Sequence, residues 1–156
     1  LLRLFNCNIL VNDLLKLNDF CKSYAVQQVS LHELIVSSDV VTLHLPFDSS
    51  TQNILNSNRL SLLKQDAILI NLARGGLVDE KALIKLLKSK KLSGAALDVF
   101  KNEPLTDFDF LSLDNVIITP HIGGSTKEAI VAMGLAAIDG LKTAQDAGSF
   151  KQGDGQ

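Results

Sequence analysis

"INLARGGLVDEKAL", residues 70–83, changes character halfway along. Its first residues continue the apolar run "AILINLA" at 67–73, which has the uninterrupted Ile/Leu pattern of a strand covered on both faces. Its last residues open "DEKALIKLLKSKK", in which Ala82, Leu83, Leu86 and Leu87 fall on one helical face. Lysines lie opposite that face and near its C-terminal end, where they suit the helix dipole. Asp79 stands where a helix N-cap belongs. Between strand and helix sit Arg74, Gly75 and Gly76. A strand, a tight loop and a helix in that order form the repeating unit of a parallel α/β sheet. The loop leaves the C-terminal end of its strand, which is where open sheets of this class bind ligands.

The pattern extends in both directions. Apolar runs recur at "NILV" 8–11, "QQVS" 27–30, "DVVTLHL" 39–45, "GAALDVF" 94–100 and "NVIITP" 115–120. Helical spacing appears between them, as in "LHELIVSS", where Leu31, Leu34 and Ile35 share a face. The expected fold is therefore α/β, a parallel sheet with right-handed crossovers and helices on both faces. A last helix is expected to open at the capping box "STKE", 125–128, and to run to about Gly148. The polar tail 149–156 is expected to be disordered. "LLRLF", 1–5, reads as the closing turns of a helix. A parallel nucleotide-binding sheet normally starts with a strand and a glycine-rich turn before such a helix, and both are absent from the sequence here.

Composition narrows the classes of function. With 156 residues the chain can bury one sizeable core, and 46% hydrophobic residues exclude disorder. The net charge of −2, with only the short basic run "KSKK" at 88–91, argues against nucleic acid as a partner. No apolar stretch reaches the roughly 20 residues needed to cross a bilayer, so no membrane partner is expected. No signal peptide is visible, although the chain begins without Met. Cys7 and Cys21 have no metal-like spacing and suit a reduced, cytoplasmic protein with small buried thiols.

Strand ends supply the candidate chemistry. Asp13 follows "NILVN", where a carboxylate either closes a turn or accepts hydrogen bonds from a ribose. His44 lies in a strand and reads as a structural residue, and His32, near a helix start, reads as solvated. Arg74 offers a permanently charged, planar fork for a carboxylate, and that carboxylate is either Asp79 or one from outside the chain. Gly75 and Gly76 would leave a ligand free to approach the backbone. Asp98 ends "AALD", Glu103 follows in "KNEP", and His121 follows "ITP". A histidine at a strand end with a carboxylate nearby suits a general acid/base, because the carboxylate favours the imidazolium.

Three blocks carry a resemblance. "LKQDAILINLARGGLVD" (63–79), "GAALDVFKNEP" (94–104) and "TPHIGGST" (119–126) resemble, in order, segments of the D-isomer-specific 2-hydroxyacid dehydrogenases. The likeness runs from residue 6 to about 147 and covers the family's NAD-binding domain. It implies a Rossmann-like sheet lacking its first strand and glycine-rich turn, hence a partial NAD-binding domain over 1–148. It implies Arg74 on the substrate carboxylate, His121 as acid/base and Glu103 as the partner of His121. It also implies Asp98 on the nicotinamide carboxamide and Asp13 on the adenosine ribose, favouring NAD over NADP. Leu45, Pro46, Leu72, Ala73, Arg74, His121, Gly123 and Gly124 match positions that line the cofactor. "HIGGST" looks most like the phosphoglycerate dehydrogenase branch of serine biosynthesis.

The resemblance further implies a small 2-hydroxy or 2-keto acid substrate, a homodimer in the intact protein, and a chain inactive by itself. Two alternatives share the same residues: an NAD-sensing module of the corepressor kind, and a remnant without activity.

Overall fold

The computed structural model describes residues 2–142 and 144. A 3-10 turn (Leu2–Phe5) stands where the closing turns of a helix were expected. Six strands follow, interleaved with six helices: β1 (Leu10–Val11), α1 (Asn18–Tyr24), β2 (Gln27–Gln28), α2 (Leu31–Ser37), β3 (Val40–Leu43), α3 (Ser57–Ser61), β4 (Ile68–Asn71), α4 (Glu80–Lys88), β5 (Gly94–Leu97), α5 (Phe108–Leu111), β6 (Val116–Ile118) and α6 (Lys127–Lys142). Each strand lies inside one of the apolar runs.

All pairings are parallel. The strands form two sheets, β1–β2 and β3–β4–β5–β6. In the larger sheet the register places Asn71 beside Leu97 and Leu97 beside Ile118, so these strands end level. Among the described residues no strand lies between β1 and β3. A cavity of about 580 Å³ occupies that place, lined by Leu10, Val11, Val41, Leu43 and Leu45 among others. This agrees with the expected parallel sheet lacking one strand.

The core explains why the second half of the sheet is well defined. Alternate residues of β3 and β4 (Val41, Leu43 and Leu69) are buried, and α4 adds Ala82, Leu83, Ile84 and Leu87. Leu86, expected on that face, is only partly buried, because Ile84 takes the more central place. Asp79 caps α4 as expected, its carboxylate accepting the Ala82 N–H at 3.1 Å. Each leucine buried in this way contributes about 1.5–3 kcal/mol.

The chain divides into two compact units, the first ending at His121 and the second starting at Ile122. Within the second, α6 begins at Lys127, and its cap is Thr126, whose hydroxyl accepts the Ala129 N–H at 3.1 Å. Ser125, the expected cap, is instead drawn into a turn in which its N–H donates to the Ile122 carbonyl at 2.9 Å. The expected helix end near Gly148 and the tail 149–156 lie outside the described residues. No helix among the described residues is long and apolar enough to cross a membrane. Both cysteines are free, and Cys7, expected to be buried, is exposed in the turn before β1.

Candidate active site

β4, β5 and β6 are neighbours, so the loops leaving their C-terminal ends start within about 10 Å of one another. The β4 loop is organised by Asn71, a buried side chain at the last position of the strand. Its amide donates to the Arg74 carbonyl at 3.0 Å and accepts the Ala73 N–H at 3.1 Å. Arg74 is thereby held at the rim with its side chain exposed, Nη1 donating to the Ala73 carbonyl at 2.7 Å. Among the described residues no carboxylate pairs with it, and Asp79 is engaged as the α4 cap. The guanidinium therefore has its fork available to an anion. Ala73 is half-buried beside it and Leu72 exposed.

Gly75 and Gly76 serve a purpose the sequence did not disclose. A Cβ on Gly75 would stand 1.9 Å from the Phe100 carbonyl oxygen, and one on Gly76 would stand 2.7 Å from the Phe47 ring. Gly76 also has φ +81°, where side chains are strained. Space at these glycines is filled by the protein itself rather than kept clear for a ligand.

The β5 and β6 loops meet at His121. Its Nδ1 lies 2.8 Å from Glu103 Oε2, and both side chains are partly exposed. The other Glu103 oxygen accepts the Phe100 N–H at 2.9 Å. That backbone hydrogen bond, followed by the bond with His121, holds the Glu103 carboxyl below the usual glutamate range. His121 has φ 54°, a left-handed conformation unusual for a residue with a side chain. The Glu103 contact fixes the imidazole through Nδ1 and leaves Nε2 out of that contact. An imidazole held in this way can exchange a proton at Nε2 with a bound oxygen.

Asp98 is 3% exposed at the end of β5, with the Thr119 hydroxyl donating to its Oδ1. On the other sheet, Asp13 is exposed at the mouth of the cavity, which His44 and Leu45 also line. One Asp13 oxygen accepts the Leu15 N–H at 2.8 Å, so the residue closes a turn. Gln28 fixes that turn, donating to the Leu15 carbonyl at 2.7 Å and accepting the Leu17 N–H at 2.9 Å. Pro46 is exposed beyond β3, its carbonyl taking the Thr51 hydroxyl at 2.8 Å. His44 Nε2 lies 3.1 Å from the Thr42 hydroxyl, as suits a structural histidine. Gly123 and Gly124 lie in the second unit and are exposed.

Arg74, Glu103, Asp98 and His121 thus gather at one edge of one sheet, and Asp13 and Leu45 share the rim of the cavity. Sequence reading missed Asn71, Gln28, Thr119 and Glu80, whose hydrogen bonds shape these loops. Asn71 alone carried a signal, being a polar residue at the end of an otherwise apolar strand.

Comparison with known proteins bears on the family and the fold. Residues 1–123 match the family described as "D-isomer specific 2-hydroxyacid dehydrogenase, NAD binding domain". The chain is 43% identical over 139 residues to a D-3-phosphoglycerate dehydrogenase of Methanocaldococcus jannaschii, covering 88% of this chain and 26% of that protein. A glyoxylate reductase structure from Paecilomyes thermophila superposes with a TM-score of 0.85 at 34% identity, covering 96% of this chain and 45% of the other. A D-lactate dehydrogenase from Aquifex aeolicus, solved with NAD and lactic acid, gives 0.79 at 32% identity, with 90% and 48% covered. The chain therefore spans about a quarter of that curated relative and under half of the two solved chains.

Proposed function

Since the chain belongs to the D-isomer-specific 2-hydroxyacid dehydrogenase family through its NAD-binding domain, we propose that it serves the interconversion of a D-2-hydroxy acid and its 2-keto acid. The observation that carries this reading is the His121–Glu103 pair at 2.8 Å, beside an Arg74 that no described carboxylate engages. When bound, NAD supplies or accepts the hydride at C2 of the substrate.

The residues present fit that cofactor at both of its ends. Asp13 offers an exposed carboxylate at the rim of a largely apolar cavity, suited to the adenosine ribose hydroxyls. Leu45 and Pro46 supply apolar surface near it, and Asp98 would take the nicotinamide carboxamide. Leu72 and Ala73 complete the lining we assign to NAD in the first unit. Arg74 would clamp the substrate carboxylate in two-point fashion. Once the carboxylate is fixed, the carbonyl oxygen is presented to His121 Nε2, which gives up its proton in reduction and takes one back in oxidation. Glu103 holds the ring by Nδ1 at 2.8 Å and so orients it for that exchange.

Within the family, "HIGGST" at 121–126 favours a phosphoglycerate-type substrate. The exposed Ile130, Val131, Leu135, Ile138 and Leu141 of α6 support a homodimer for the intact protein. The two free cysteines support a cytoplasmic location.

The test is turnover of a panel of 2-keto acids by the intact protein and by its His121→Gln and Arg74→Gln variants. Each substitution is expected to lower kcat/KM by about 10²–10⁴ while NADH still binds. Parental rates in both variants would overturn the roles. NADH binding without turnover of any acid would turn the reading towards a sensing module.

A further inference from the structure

Phe100 and Lys101 connect parts of the site that the sequence keeps far apart. The Phe100 N–H donates to Glu103 Oε1 at 2.9 Å. The Phe100 carbonyl packs so closely on Gly75 that no side chain fits there. The Lys101 N–H donates to Glu80 Oε1 at 2.6 Å. Phe100 itself is buried, its ring edge-on to Phe110 at 5.6 Å. Glu80 stands in the first turn of α4, the helix that follows the Arg74 loop and is capped by Asp79. One short segment therefore touches the Arg74 loop, the start of α4 and the carboxylate that holds His121.

Glu80 is half-buried, which is an expensive place for a carboxylate that forms no salt bridge among the described residues. Burial pushes its pKa up, and the nearby Asp107 and Asp79 carboxylates push the same way. The Lys101 N–H and the Lys101 charge oppose that shift. A helix first turn favours an acidic residue for its dipole alone, but an exposed side chain would satisfy that preference. The inward orientation onto the Lys101 N–H calls for a further account.

We propose that Glu80 is a positioning residue for the acid–base pair. Its carboxylate holds the Lys101 N–H and so sets the 100–103 turn in which one Glu103 oxygen meets Phe100 N–H and the other faces His121 Nδ1. The inference rests on the reading of His121 and Glu103 given above for its catalytic meaning, but its geometry stands without that reading. Glu80 touches neither substrate nor cofactor. It acts by fixing Glu103 relative to Arg74, since the helix that carries it is the continuation of the Arg74 loop.

The decisive measurement is the titration of the Glu103 side-chain carboxyl carbon by NMR, in the 156-residue chain and in three variants at position 80. Glu80→Ala removes the acceptor. The Phe100 N–H bond, which is the first cause of Glu103's low pKa, should loosen, and the Glu103 midpoint should move up towards the ordinary glutamate range. Glu80→Gln keeps an acceptor oxygen at the same reach and should restore the parental midpoint. Glu80→Asp keeps the charge at the helix start but withdraws it by one methylene, so it should behave like Glu80→Ala. This variant carries the test if Glu80→Ala does not fold.

A Glu103 midpoint unchanged in Glu80→Ala or Glu80→Asp, with only the melting temperature lowered, would overturn the proposal and leave Glu80 a structural anchor. Glu80→Gln titrating like Glu80→Ala would also overturn it, because the hydrogen bond would then not be the agent. None of these readouts requires turnover. Failure of the dehydrogenase reading would therefore appear in the keto-acid panel and leave the titration result intact.

Discussion

His121 holds a left-handed backbone conformation, which costs a residue with a side chain about 1–2 kcal/mol. The contact that offsets this is with Glu103, and it depends on pH in a definite direction. The folded-state pKa of Glu103 is depressed, so the folded protein favours the ionised carboxylate. Its contribution to stability is therefore present above the ordinary glutamate pKa and is lost as pH falls through the lower folded value. Glu103→Gln is expected to be less stable than the parent at neutral pH, with the gap closing on acidification through that range. Because the group is largely exposed, the gap should be small, and urea unfolding at a series of pH values will measure it. A gap that widens as pH falls would contradict the assigned partners. Arg74 and His121 were legible as candidates because residues with strong chemistry fall directly after apolar runs, and Glu103 because it follows Asp98 in the same loop. Asn71 and Glu80 were not, since their partners are backbone groups whose positions only the folded chain defines. The glycines were read as room for a ligand, because the sequence does not show that Phe47 and Phe100 fill the space beside them.

Strands were readable from their apolar runs and helices where they were long enough to show a period, whereas the shortest helices were not. β3, β4 and β5 lie inside continuous apolar runs, and α4 shows its face over nine residues. α3 spans five residues and α5 four, too few for a helical period to register against the background. α1 spans seven residues and buries no side chain, its Phe20 and Tyr24 rings packing on each other at 4.7 Å. α4 matters most among the helices, since it links the Arg74 loop to Glu80 and closes over the core with Leu83 and Leu87, both fully buried. Leu83→Ala should destabilise the chain by about 2–5 kcal/mol, through lost burial and the cavity it leaves. Leu86→Ala, about one helical turn away on the partly buried side, should cost less. Equal losses in denaturant melts of the two variants would show that the face expected from the sequence, with Leu83 and Leu86 alike, describes the packing better.

Stability across the first unit should be uneven. The four-stranded sheet is bordered by the buried side chains of α4, whereas β1 and β2 share two residue pairs and the helix joining them buries nothing. A two-stranded pairing of that size is marginal in water by itself. The cavity between β1 and β3 removes the support a neighbouring strand would give. Native-state hydrogen exchange should therefore find the Gln27 and Val29 amides, bonded to Ile9 and Val11 carbonyls, opening well before the Ala95 and Asp98 amides. The same experiment examines the placement of the cofactor. If the adenosine end is held by Asp13 at the rim of that cavity, NADH should slow exchange at Gln27 and Val29 more than at Ala95. The stabilisation should follow the ratio of ligand concentration to its dissociation constant. Protection that appears only around β4 and β5, or that survives Asp13→Ala undiminished, would remove Asp13 from the cofactor site.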